Sequence, residues 1–145
     1  MTERELIQKI YEQAQSIGAC SLFKGDETLE ELIRLFLSPQ GVEFCHKNSF
    51  PSLRTLRAFK AFDVEKYGVY IDAGDIAIYD PDSVALIGHT VATVDCTSRN
   101  TLHHLFLYRG AGVVINAYGW SVTKVRSDKG CRIIKNINDN AIVIA

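Results

Sequence analysis

The chain has 145 residues, of which 47% are hydrophobic, and its formal net charge is −1. A chain of this length and apolar content can bury the core of one domain, which argues against a largely disordered protein. The balanced charge gives no overall reason to expect nucleic-acid binding, which usually requires a basic excess.

The amino-terminal stretch MTERELIQKIYEQ alternates charged and apolar residues and lacks the apolar segment of a signal peptide. No later apolar run approaches the roughly 20 residues of a membrane span. We therefore expect a cytoplasmic protein without a membrane segment.

The first sixty residues have the apolar spacing of helices. In ERELIQKIYEQAQSIG the apolar residues recur every three or four positions, and Gly18 predicts the end of the helix. Thr28 followed by Glu31 forms a capping-box pattern before a second helix. Ser38 before Pro39 predicts a third helix, because proline is favoured at the first helical position.

The stretch FPSLRTLRAFKAF predicts a fourth helix, in which Pro51 has the same role as Pro39. Arg54, Arg57 and Lys60 form a basic stripe along it. This stripe is a candidate contact for an acidic partner or a phosphate, although a solvated helix face explains it more simply.

After Asp63 the pattern changes to short runs of Val, Ile and Tyr separated by Gly, Asp, Asn and Ser, which is typical of strands and turns. We divide the chain into a helical head at residues 1–63 and a repetitive β region at residues 64–145, packed as one structural unit. The predicted strands are 69–72, 76–79, 84–87, 91–94, 105–108, 113–117, 122–125, 133–137 and 142–144. Turns are predicted at 80–82, 109–110, 118–119, 127–130 and 138–140.

The β region repeats itself. SVALIGH is followed by the similar TVATVDC, and later units lengthen to about ten residues. Small residues beside the strands favour a β-solenoid, whose units gain stability by stacking, while an antiparallel meander or barrel is the alternative. The predicted fold class is therefore α+β, with a helical head and a solenoid. Val84 and Val91 should both be buried, and His89 should lie exposed at a corner between the two copies.

The phrases GVEFCHKNSFPSLRTLRAFKAFDVEKYGVYIDAGDIAI, VALIGHTVATV and IIKNINDNAIVI resemble a family of uncharacterised proteins from gut Bacteroidales and their phages and mobile elements. Members of that family join a short helical head containing EFC…N-x-FPS to a tail of ATV-like β units. The resemblance covers residues 40–145 and implies this architecture, and the cytoplasm of the host cell if the gene is phage-encoded. It supplies no catalytic motif. The insertion CTSRNTLHHLF departs from the repeats and puts a continuous solenoid in doubt.

The insertion also contains the candidate chemistry. His103 and His104, with Asp95 or Arg99, are weak candidates for a catalytic site. Two adjacent histidines on a strand point to opposite faces, so they cannot ligate one metal without a bulge. We predict no metal site and no cofactor, and we expect the four cysteines to be reduced structural thiols.

Four aspartates follow or precede the first β runs: Asp72, Asp75, Asp80 and Asp82. Their spacing does not match known calcium-binding loops. We interpret them as turn residues whose side chains accept hydrogen bonds from backbone amides near Pro81.

Tyr108, Tyr118 and Trp120 fall at comparable places in successive ten-residue units. Stacking of the units would align the three rings in a row, which could bind a partner or be buried. With the basic stripe, this row is the candidate partner-binding surface.

These patterns favour a non-enzymatic binding or structural accessory protein that forms a homo-oligomer or binds another protein. The apolar NAIVIA segment is expected to be buried, across such an interface. The alternatives are a small hydrolase or nucleic-acid-processing enzyme with a site near His103 and His104, and an inhibitor of a host defence system encoded by a phage or mobile element.

Overall fold

A computed structural model describes residues 1–145, which divide into two compact units, Met1–Tyr67 and Gly68–Ala145. The first unit contains the helices and the second contains the strands. The predicted α+β class, with helices first and a β-solenoid after them, is confirmed.

The first unit has four α-helices and two short 3-10 segments. None of the helices combines the length and apolar character needed to cross a membrane. The helices are α1 (Glu3–Ser16), α2 (Leu29–Phe36), α3 (Pro39–Asn48) and α4 (Leu53–Ala58), and the 3-10 segments are Phe59–Phe62 and Val64–Tyr67.

The helix starts follow the predicted caps, with one exception. Thr28 and Glu31 form the reciprocal capping box of α2, and Ser38 caps α3 with Pro39 at its first position. The role predicted for Pro51 is wrong. Ser52 is the cap of α4, since its side chain accepts the Thr55 amide, and Pro51 therefore precedes the helix.

The second unit has nine strands, which overlap the nine predicted ones. They are β1 (Val69–Ile71), β2 (Gly74–Tyr79), β3 (Ser83–Ile87), β4 (Thr90–Cys96), β5 (Leu102–Tyr108), β6 (Gly112–Ala117), β7 (Val122–Ser127), β8 (Arg132–Ile137) and β9 (Ile142–Ile144).

The strands form a parallel β-solenoid of about four turns. Odd-numbered strands make a five-stranded sheet, here called sheet A, and even-numbered strands make a four-stranded one, sheet B. Consecutive strands lie in different sheets, so each turn of the solenoid, or coil, contributes one strand to each sheet. All seven strand pairs are parallel, and the antiparallel meander is therefore wrong.

The solenoid continues through the insertion. Val69 pairs with Ala85 in the first coil, whereas Val84 pairs with the more distant Leu105 in the coil that contains the insertion. The strand ladders on both sides of that coil remain in register. The inserted residues therefore lengthen one corner and leave the stack of strands continuous.

The core lies between the two sheets. Its completely buried members include Leu86 and Leu107 from sheet A and Val94 and Ile115 from sheet B. Small residues at or next to the corners are buried as well, as expected if a narrow coil leaves room only for small side chains there. They are Thr90, Ala92, Ala111, Ser121 and Ala141.

The burial of the opening repeat is only partly as predicted. Val84 is buried and His89 is exposed at a corner, but Val91 is 47% exposed. The buried side chains of β4 are those at every second position from Thr90, so Val91 points outward. The seven-residue repeat relates strands of two different sheets, and it therefore does not mark equivalent positions.

Val91 and Val94 give a matched pair of substitutions on one strand. We expect Val94→Ala to lower the free energy of unfolding by about 2 kcal/mol, because it removes buried methyl groups and leaves a cavity. Val91→Ala should cost less than about 1 kcal/mol, mainly through strand propensity. Urea denaturation measures both values, and equal losses would contradict the assigned strand faces.

Candidate functional site

The structure brings the candidate residues to one corner of the solenoid. The turn at residues 80–82 joins β2 to β3, and the corner segment, residues 97–101, joins β4 to β5 in the next coil. The corner segment is longer than the turn that it lies against. It is held against that shorter turn at both of its ends.

Asp80 holds the first end of the corner segment. Its Oδ1 accepts the backbone N–H of Thr97 at 2.6 Å and of Ser98 at 3.1 Å, and its Oδ2 accepts the Thr97 hydroxyl at 2.7 Å. These bonds, with the Thr97 amide first, lower the pKa of Asp80 below its usual range. The carboxylate therefore stays ionised well into the acid range.

His103 holds the other end. Its side chain is completely buried, and Nδ1 lies 2.5 Å from the carbonyl oxygen of Pro81. A carbonyl only accepts, so Nδ1 carries the hydrogen and Nε2 of the neutral ring has a lone pair. Nε2 has no hydrogen-bond partner, and its nearest charged group is Asp80 Oδ1 at 3.9 Å. The backbone N–H of His104 completes the contact by donating to the Asp82 carbonyl.

Hydroxyl and thiol groups lie on the neighbouring strands. Thr123 is the registered partner of His103 in the next coil, and its side chain is completely buried, as is that of Ser121. Burial raises the pKa of the Cys96 thiol, which the Thr123 side chain only partly offsets. Cys96 is therefore a neutral thiol, and its reactivity as a nucleophile is low.

The other predicted site residues do not join this cluster. His104 points to the opposite face of β5, as predicted, and its ring stacks on Phe106 at a centroid distance of 6.0 Å. Asp95 accepts a hydrogen bond from the Asn116 side chain on the outer face of sheet B, and Arg99 is exposed. The charged group that faces His103 is Asp80, which the sequence pattern predicted only as a turn residue.

Aspartate side chains connect successive coils at the other corners too. The His89 amide donates to Asp72, the Arg109 amide to Asp128 and the Gly119 amide to Asp139. The predicted bonds from backbone amides to turn aspartates are present for Asp72 and Asp80. Asp75 instead lies within β2, and Asp80 bonds to the next coil and not beside Pro81. The signal in the sequence is an Asp one or two residues after the end of a strand.

The predicted aromatic row is wrong. Tyr108 is completely buried on β5, whereas Tyr118 and Trp120 are exposed on the corner after β6. One repeat unit spans only half a coil, so successive units lie in different sheets and their residues cannot stack.

The basic stripe is exposed, with Arg54 and Arg57 on α4 and Lys60 in the 3-10 segment after it. The four cysteines are free, and Cys20 is exposed. No group of three or more His, Cys, Asp or Glu side chains comes together in a way that could hold a metal ion.

The last coil presents an open end. β9 is the outermost strand of sheet A and β8 the outermost strand of sheet B. The NAIVIA segment is not buried within the chain, since Ile142 and Ile144 are each 53% exposed. Ile134 and Ile137 of β8 are 54% and 50% exposed, so the open end combines free strand edges with four half-exposed isoleucines.

Comparison with known proteins adds no relative: no family model, no curated protein and no solved structure matches the chain. The resemblance to the Bacteroidales and phage family therefore stays a prediction.

Removing the Asp80 carboxylate tests the anchor of the corner segment. We expect Asp80→Ala to lower the free energy of unfolding at neutral pH by about 1 to 2 kcal/mol, a discounted value because the side chain is 40% exposed. Because the folded-state pKa is lowered, this stability is present above the ordinary pKa of aspartate and is lost as the pH falls through the folded-state value. The stability curve of the variant should therefore fall less steeply in acid.

Asp82→Ala is the matched control, because Asp82 lies in the same turn with an exposed side chain. Denaturation at several pH values measures both variants. An Asp80→Ala curve parallel to that of Asp82→Ala would refute the anchor.

Proposed function

We propose that the protein is a non-enzymatic structural or binding module that associates with a second copy of itself through the open end of its solenoid. The observation that supports this is the coincidence of two free strand edges with four half-exposed isoleucines at β8 and β9. Unpaired strand edges readily add further strands, and the apolar side chains add a hydrophobic driving force.

The partner that we propose for the open end is a second copy of the chain. Each copy brings the same two edges, so a two-fold contact uses the same surface on both sides. A two-fold axis perpendicular to the solenoid axis reverses the strands of one copy, so the contact pairs the edges in antiparallel fashion.

An amide row ends at the same place. The side chain of Asn136 donates to Asn116, which donates to Asp95, so Asn136 is the outermost member of a side-chain ladder. Its side-chain amide lies at the open end, where a polar group of a second copy can contact it.

The enzyme alternative has less support. His103 is completely buried, and a substrate could reach its Nε2 only if the corner segment opened. Cys96 is buried and its thiol pKa is raised, which argues against a nucleophile. The role as an inhibitor of host defence remains a prediction from the family resemblance alone.

Charges at the open end should abolish association. We expect the wild-type protein to be a dimer by sedimentation equilibrium, and the double variant Ile137→Lys with Ile142→Lys to be a monomer, because lysines on a strand edge oppose further pairing. The secondary structure of the variant, measured by circular dichroism, should match that of the wild type.

Val91→Lys is the matched control, since Val91 is also about half exposed but lies on the outer face of sheet B in an inner coil. It should leave the dimer intact. A wild-type protein that stays monomeric at high micromolar concentration would overturn the proposal.

A further inference from the structure

We propose that His103 and Asp80 form a pH-sensitive latch on the corner segment, residues 97–101. This device goes beyond self-association and does not depend on it. It rests on the position of one carboxylate oxygen, Asp80 Oδ1, which can accept hydrogen bonds either from amides of the corner segment or from the protonated His103 ring.

At neutral pH Asp80 Oδ1 is hydrogen-bonded to the corner segment. Asp80 Oδ1 accepts both the Thr97 and Ser98 amides, while the neutral His103 ring faces the same atom at 3.9 Å with a lone pair. A lone pair and a carboxylate have no hydrogen to share, so no bond joins them.

Protonation of His103 Nε2 adds a second donor that competes with the two amides for Asp80 Oδ1. The ring then carries a charge and a second N–H donor, completely buried, and Nδ1 is already committed to the Pro81 carbonyl. A buried charged donor without a partner is costly, so Nε2–H needs an acceptor. Asp80 Oδ1 is the nearest anion, and closing 3.9 Å to the usual length of about 2.8 Å requires the carboxylate to move about 1 Å towards the ring.

That movement takes Oδ1 away from the two amides. The corner segment then loses both amide bonds of its first anchor and keeps only the Thr97 hydroxyl bond to Oδ2, while the second anchor, the His104 amide on the Asp82 carbonyl, stays. Acidification through the range in which His103 gains its proton therefore frees the start of the segment. Residues next to Cys96 become mobile, and the solenoid ladders are unaffected.

The surroundings leave His103 as the group that switches. Asp80 has a lowered pKa and stays ionised, and Cys96 has a raised one and stays neutral. Thr123 and Ser121 do not titrate. The remaining titratable or charged groups on the two corners and on β3, β4, β5 and β7 are Asp82, Asp95, Arg99, His104, Tyr108, Lys124 and Arg126.

Nuclear magnetic resonance of the full chain tests the latch. As the pH is lowered from neutral into the acid range, the amide proton signals of Thr97 and Ser98 should shift with the same midpoint as the signals of the His103 ring. Beyond the intrinsic pH effect, exchange of these two amides with solvent should accelerate at least about tenfold, as expected for loss of a bond to a charged acceptor.

Two internal controls keep the outcome unambiguous. The Gly119 amide, which donates to Asp139 with no histidine in that bond, should show no such step. His103→Gln should abolish the step at Thr97 and Ser98, whereas His89→Gln and His104→Gln should retain it.

Thr97 and Ser98 signals that stay constant while the His103 ring titrates would overturn the latch. So would a step that persists in His103→Gln. If that variant does not fold, the wild-type titration still decides, because the proposal requires coincident midpoints.

Discussion

The structure of the second unit depends on one constraint, the in-register pairing of each strand with the strand one coil away. Consecutive strands alternate between sheets and never pair, so no strand finds its partner within its own coil. A coil therefore has hydrogen-bonded neighbours only above and below it, and its stability is a property of the stack. The half-exposed isoleucines of β8 and β9 are the direct consequence, because the last coil has a neighbour on one side only.

The corners keep this register through side chains as well as through the strand ladders. Asp72, Asp80 and Asp139 all have positive φ angles, at 47°, 46° and 58°, a conformation that aspartate tolerates better than most residues. The same residue that allows the sharp corner also accepts a backbone amide from a neighbouring coil. Asp80 goes furthest, with three hydrogen bonds, because it must hold the longer corner segment of the next coil.

Local features were predictable from the sequence, and coil-scale features were not. The capping box at Thr28 and the nine strands depend on neighbouring residues, whose types and spacing suffice. The outward direction of Val91 and the separation of Tyr108 from Trp120 follow from a repeat unit that spans half a coil, so that successive units lie in different sheets. The proximity of Asp80 and His103 depends on the register of β3 with β5, which brings those distant positions together. The candidate residue His103 could thus be named from the sequence, but its partner could not.

Both functional proposals follow from the stacking of coils. Stacking leaves the edges of β8 and β9 unpaired, and it places the Asp80 carboxylate against the corner segment of the next coil. The most direct test of the stack is a measurement of nuclear Overhauser effects between backbone protons of neighbouring strands in sheet B. A parallel stack of coils should give cross-peaks that link Thr93 with Val114, and Val114 with Ile134, which are registered neighbours in successive coils. Cross-peaks that instead pair β6 with β7 in an antiparallel pattern, without these links, would contradict it.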